Sequence, residues 1–224
     1  LGLINGSWLE AENNKTFDIT NPSNGAIICK MPQMSKNETI KAIESANNAF
    51  LIWRKFTAKN RSILIRKWHD LIIQNIDDLA YIMTLENGKP IGESKGEILY
   101  ASWFVDWFAE EGKRSYGRTI PETQSDKRLI TIKQPVGVCA LITPWNFPCA
   151  MITRKVAPAL AAGCTVVIKP AEQTPLSATA LGELAIKAGI PKGVINILVS
   201  GDPKPIGDEL CNNKLVRKIS FTGS

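Results

Sequence analysis

Histidine is almost missing from these 224 residues; the single one, His69, stands between Trp68 and Asp70. One imidazole cannot build a His-rich metal centre, so His69 reads as structural. Five cysteines, Cys29, Cys139, Cys149, Cys164 and Cys211, are odd in number and form no CxxC pair. That spacing speaks against a zinc site and a disulfide framework, and free, mostly buried thiols are expected. No apolar run approaches the ~20 residues of a membrane span, and Leu1-Gly2-Leu3-Ile4-Asn5-Gly6 lacks the basic start and apolar stretch of a signal peptide. Internal repeats and low-complexity tracts are missing too. The 27 basic and 21 acidic residues leave a net charge of +6. Those charges are scattered rather than striped, which argues against nucleic acid and suits small anionic ligands. A soluble cytoplasmic protein is expected; because residue 1 is leucine, a removed transit peptide would place it in the mitochondrial matrix instead.

A hydrophobic fraction of 44% is ample for the core of one large α/β domain. Up to about residue 127 helices dominate the pattern. Ser35-Lys36-Asn37-Glu38 has capping-box spacing, with Ile40, Ile43, Phe50 and Trp53 following at helical intervals. Further helices are expected over Arg61 to Gln74, Asp77 to Glu86 and Glu97 to Glu111, stopped by Asn87-Gly88 and by Gly112 in the last two cases. Residues 128–135, with Leu129 to Gln134 rich in β-formers and Pro135 at the end, read as an edge strand, either within the chain or as an arm toward another subunit. From Val136 onward, apolar runs (136–142, 165–168, 194–199, 216–221) alternate with helical stretches (151–160, 177–188, 206–211). That alternation reads as parallel βαβ units, an incomplete Rossmann-like part over 136–224.

In open parallel sheets ligands bind beyond the carboxyl ends of the strands. The residues there are Thr143 to Pro148, Lys169-Pro170-Ala171-Glu172, Ser200-Gly201-Asp202 and Thr222-Gly223-Ser224. No GxGxxG follows any strand, so the usual dinucleotide fingerprint is absent. Lys169 and Glu172 together suit a ribose, since an ammonium donates and a carboxylate accepts; a solvated ion pair at a strand end is the alternative. Gly223-Ser224 suits a phosphate if a helix begins there.

The motifs Pro144-Trp145-Asn146-Phe147-Pro148, Leu160-Ala161-Ala162-Gly163-Cys164, Lys169-Pro170-Ala171-Glu172 and Phe221-Thr222-Gly223-Ser224 resemble, in order, the cofactor-domain motifs of the aldehyde dehydrogenase superfamily. Met151-Ile152-Thr153-Arg154-Lys155 and Trp107 to Arg114 resemble its succinate-semialdehyde dehydrogenase branch. The resemblance implies NAD as cofactor, with NADP possible, an aldehyde substrate and a homo-oligomer. It implies attack by a cysteine thiolate, an oxyanion held by amides, hydride transfer to nicotinamide and hydrolysis of a thioester. By the same likeness Asn146 is the side-chain donor to the oxyanion and Trp145 lines the cofactor near its phosphates. Lys169, Pro170, Ala171 and Glu172 form the ribose turn, Gly223 and Ser224 meet the pyrophosphate, and Arg154 contacts cofactor. The family's nucleophile and glutamate base lie downstream of Phe221-Thr222-Gly223-Ser224, so the segment alone is expected to be inactive. Two rival readings are a non-catalytic nucleotide-binding or structural protein on the same scaffold, and an anion-binding protein, for which the charges are not clustered.

Overall fold

A computed structural model describes residues 1–223. The chain begins with strands rather than helices. Asn5 and Gly6, both at positive φ (53° and 73°), form a tight turn between β1 (Gly2–Ile4) and β2 (Ser7–Leu9). An Asn-Gly pair tolerates that left-handed backbone and matches strand twist, which is why it closes two-residue hairpins. A second antiparallel pair, β3 (Thr16–Thr20) and β4 (Ile27–Pro32), follows. The sequence pattern, in which helices dominate this part, does not show these strands: runs of three to six residues with mixed polarity carry too few alternations to register as a pattern.

Four helices come next: α1 (Lys36–Trp53), α2 (Ala58–Gln74), α3 (Ile76–Asn87) and α4 (Ile91–Glu111). The capping box forms as the sequence predicts, with the Ser35 amide donating to Glu38 at 2.9 Å. Helix α4 starts six residues before the predicted Glu97, running through Gly92 and Gly96, because packing overrides weak local propensity. The edge segment divides into β5 (Arg118–Ile120) and β6 (Leu129–Thr131), a separate and fully exposed hairpin.

The βαβ part then runs β7 (Val138–Ile142), α5 (Ala150–Ala162), β8 (Thr165–Lys169), α6 (Pro175–Lys187), β9 (Ile195–Ile197), α7 (Lys204–Asn212) and β10 (Val216–Phe221). The main sheet has the order β10-β7-β8-β9-β1-β2. Its β10, β7, β8 and β9 are parallel, and β1 joins β9 antiparallel. Helices α5 and α6 cover one face beneath α2, α3 and α4, while α1 and α7 lie on the other. Two indoles tie the helical layer down: Trp53 Nε1 donates to Leu160 O at 3.1 Å and Trp68 Nε1 to Leu181 O at 3.0 Å, both in the core. Cys139, Cys149 and Cys164 are buried, Cys29 is half-buried and Cys211 is exposed; none forms a disulfide. His69 pairs with its neighbour Asp70 at 2.9 Å. No helix among the described residues is long and apolar enough to cross a membrane.

Candidate functional site

The chain enters the sheet's parallel part at β7, winds outward through β8 and β9, and returns to add β10 on the other side of β7. The winding direction reverses between β7 and β10, and the carboxyl ends of these strands are the switch point at which open α/β sheets bind ligands. Ile142, Lys169 and Phe221 are level across β7, β8 and β10. The Thr143 amide donates to Lys169 O at 3.2 Å and the Thr222 amide to Ile142 O at 3.1 Å, so the loops beyond all leave from one rim.

After β7 the rim carries Trp145 and Asn146, both exposed, in a loop bounded by Pro144 and Pro148. The side-chain amide of Asn146 meets no partner among the described residues. The loop's backbone, by contrast, is held from the α3–α4 turn. Asn87 Nδ2 donates to Trp145 O at 2.8 Å and Lys89 Nζ to Asn146 O at 3.1 Å, with that ammonium 4.2 Å from the centre of the Phe147 ring.

The amino ends of α5 and α6 are occupied by glutamates from the helical layer. Glu97 Oε1 accepts from the amides of Cys149 at 3.0 Å and Ala150 at 3.3 Å, and its other oxygen pairs with Lys89. Glu86 likewise accepts from the amides of Leu176 at 2.7 Å and Ser177 at 2.8 Å. Carboxylates there satisfy orphan amides and complement the helix dipole. They also exclude a phosphate from the start of α5, where the usual glycine-rich fingerprint would bind one. The missing GxGxxG and the buried Glu97 are thus two sides of one arrangement. Burial pushes the Glu86 carboxyl up to about 7 despite its hydrogen bonds to Ser177 and Leu176.

After β8, Lys169 is 4% exposed and its ammonium donates to Glu172 Oε2 at 2.9 Å. Burial pushes the Glu172 carboxyl upward, but the bonds from Lys169 and its own backbone amide outweigh this and leave it below the usual carboxylate range. Pro170 and Ala171 are buried in the turn between them. Gly223 is exposed beyond β10, and Ser224 lies outside the described residues. Arg154 is held by its own helix and by α4. Its Nε donates to Ala150 O at 3.2 Å, an Nη donates to the Tyr100 hydroxyl at 3.0 Å, and its guanidinium carbon lies 4.7 Å from the Phe104 ring centre. Cys149, next to the loop, is fully buried; burial, then Glu97 and Glu86, push its thiol well above the ordinary range, so it offers no thiolate.

Sequence reasoning did not find Asn87, Lys89, Glu86 or Glu97 as site residues. The one signal was a carboxylate on an otherwise apolar helix face; their partners lie between 52 and 91 residues away along the chain.

Strand order and rim define an open, doubly wound α/β unit with a carboxylate seated at the start of its first crossover helix. A model of the aldehyde dehydrogenase family matches residues 8–224, and the chain belongs to that family. It is 60% identical over 222 residues to succinate-semialdehyde dehydrogenase [NADP(+)] GabD of Escherichia coli (strain K12), covering 99% of this chain and 46% of that protein. It is equally 60% identical over 221 residues to glutarate-semialdehyde dehydrogenase of Pseudomonas putida, with the same coverage of 99% and 46%. Among solved structures, an E. coli NADP-dependent enzyme superposes with a TM-score of 0.98 at 59% identity, over 99% of this chain and 46% of that one. A betaine aldehyde dehydrogenase from Staphylococcus aureus in complex with NAD+ gives 0.96 at 36% identity, over 100% of this chain and 46% of that one. The chain thus spans less than half the length of these relatives.

Proposed function

We propose that this chain is the cofactor-binding part of a full-length enzyme that oxidises an aldehyde with a distal carboxylate, succinate semialdehyde first among them, to the acid with NAD or NADP. The observation that carries this reading is the exposed Asn146 on one rim with the ion pair of buried Lys169 and half-buried Glu172, at the switch point between β7 and β10. The residues present fit a dinucleotide. Lys169 and Glu172 offer a donor and an acceptor to the adenosine ribose, with Pro170 and Ala171 shaping the turn. By the family likeness Trp145 would line the phosphates and Gly223 with Ser224 would meet the pyrophosphate, and Glu97 at the start of α5 is consistent with that placement. The bound nicotinamide supplies the hydride acceptor.

Asn146 contributes a neutral N–H donor aimed at the negative charge that develops on the aldehyde oxygen, and it does so without titrating. Cys149 is not proposed as the nucleophile, because its thiol is fully buried and held in the neutral form. Arg154 is proposed as the anchor of the substrate's carboxylate rather than as a cofactor contact. It sits one turn into α5, about 6 Å along the axis from Ala150, and is braced by Tyr100 and Phe104. Two relatives are named for semialdehydes that end in a carboxylate, for which an arginine is a fitting partner. Assembly as a homo-oligomer through the exposed β5–β6 hairpin and residence in the cytoplasm complete the proposal.

The test uses the full-length enzyme. Asn146→Ala should lower kcat about 100-fold or more with little change in cofactor affinity. Arg154→Ala should raise KM for succinate semialdehyde while leaving uncharged butanal unaffected. Wild-type turnover in folded Asn146→Ala removes Asn146 from the mechanism, and equal losses on both aldehydes remove Arg154 from substrate selection.

A further inference from the structure

Asn146 sits on a loop between two prolines, and a donor on such a loop is only as well aimed as its backbone is held. Neither Trp145 O nor Asn146 O has a strand partner; the α3–α4 turn satisfies both, through Asn87 and Lys89. The Lys89 side chain is 13% exposed, and its ammonium has three engagements: the Asn146 carbonyl at 3.1 Å, the face of Phe147 at 4.2 Å, and the Glu97 carboxylate. Glu97, whose side chain is 1% exposed, is itself fixed by the Cys149 and Ala150 amides immediately after the loop. Loop and helix start are therefore bound to the same ion pair from both ends. Gly88, at φ +78°, ends α3 and lets the chain turn sharply enough to present Asn87 and Lys89 side by side.

We infer that Lys89, seated on Glu97 and seconded by Asn87, is a positioning residue for catalysis: it fixes the Asn146 backbone and so aims the side-chain amide at the oxyanion. The inference rests on the proposed role of Asn146. Removing the ammonium leaves the residues near the reaction in place but frees the loop to shift, and misplacement by about 1 Å can cost a factor of 100 in rate. A structural role alone would lower stability and affect all kinetic constants together; a positioning role falls on kcat and requires Asn146 to be present.

The experiment is a double-mutant cycle in the full-length enzyme with Lys89→Met, which keeps an apolar stem, and Asn146→Ala. Cofactor Kd, aldehyde KM and kcat are measured for each variant. We expect Lys89→Met to lower kcat roughly 10- to 100-fold, with Kd and KM within about twofold, and to cost less than about threefold more when added to Asn146→Ala. Asn87→Ala, which removes the other carbonyl hold, should lower kcat about three- to tenfold in the same way, and it decides the question if Lys89→Met does not fold. Unchanged kcat in a folded Lys89→Met enzyme, or the same fold-loss with and without Asn146, overturns the inference. If Asn146→Ala alone turns over normally, the proposed role of Asn146 fails and the clamp falls with it; if Asn146→Ala is crippled while Lys89→Met is normal, only the clamp falls.

Discussion

Replacing Glu172 by serine should move the full-length enzyme's preference from NAD toward NADP. In the structure Lys169 Nζ and Glu172 Oε2 are 2.9 Å apart, with the lysine side chain 5% exposed and the glutamate 35%. A 2′-phosphate in this turn would meet one positive and one negative charge. At about 4 Å and an effective dielectric near 20 each unit interaction is worth about 4 kcal/mol, so attraction and repulsion nearly cancel. What remains is the bond from the 2′-hydroxyl to the carboxylate, which NADP cannot make; a hydrogen bond to a charged group contributes about 1.5 to 3 kcal/mol. That predicts a wild-type preference for NAD of roughly 10- to 100-fold in kcat/KM. Serine removes both the bond and the repulsion and leaves the Lys169 ammonium free for the phosphate. The ratio should then shift by about 100-fold or more toward NADP, with the partial exposure of position 172 tempering the electrostatic part. The E. coli relative named for NADP makes the comparison a sharp one. The assay is kcat/KM for both cofactors in wild type and Glu172→Ser. A wild type that uses NADP as well as NAD, or a ratio unmoved by the substitution, refutes the argument that Glu172 reads the ribose.

Three further outcomes follow from the buried groups. The Glu86 carboxyl, raised by burial to about 7, stabilises the fold fully only below the unfolded value near 4.5 and loses that contribution as pH rises through 7. Against Glu86→Gln, wild type should therefore lose up to about 3 kcal/mol between pH 4.5 and 8 in denaturant melts, and parallel pH profiles would show that Glu86 does not titrate there. Trp53→Phe strands the Leu160 carbonyl and should cost about 1 to 3 kcal/mol; an unchanged denaturation midpoint would mean that carbonyl finds another donor. The 224-residue chain alone should reduce no cofactor with any aldehyde, because Cys149 is buried as a thiol. Reduction that persists in the purified chain and vanishes in Cys149→Ala would make that cysteine the nucleophile after all.

The alternation of β7, α5, β8 and α6 was legible because strands buried on both faces by helices are nearly continuous apolar runs, here each followed by an amphipathic stretch and a glycine stop, Gly163 or Gly189. The Asn5-Gly6 turn was equally written in the chain, yet its three-residue strands went unread because so short a run shows no period. Asn146, Lys169 and Glu172 stood out because their positions just after apolar runs put them at strand ends. The arrangement around them was another matter. That Glu97 closes the start of α5, that Glu86 does the same for α6 and that Lys89 grips the Asn146 carbonyl depend on helices α3 and α4 packing against α5 and α6. Local sequence determined which backbone groups would be orphaned, since every helix start and every loop carbonyl needs a partner. Only the tertiary structure decided which side chains supply them, because those bonds join residues more than 50 positions apart, a distance over which periodicity and propensity carry no information.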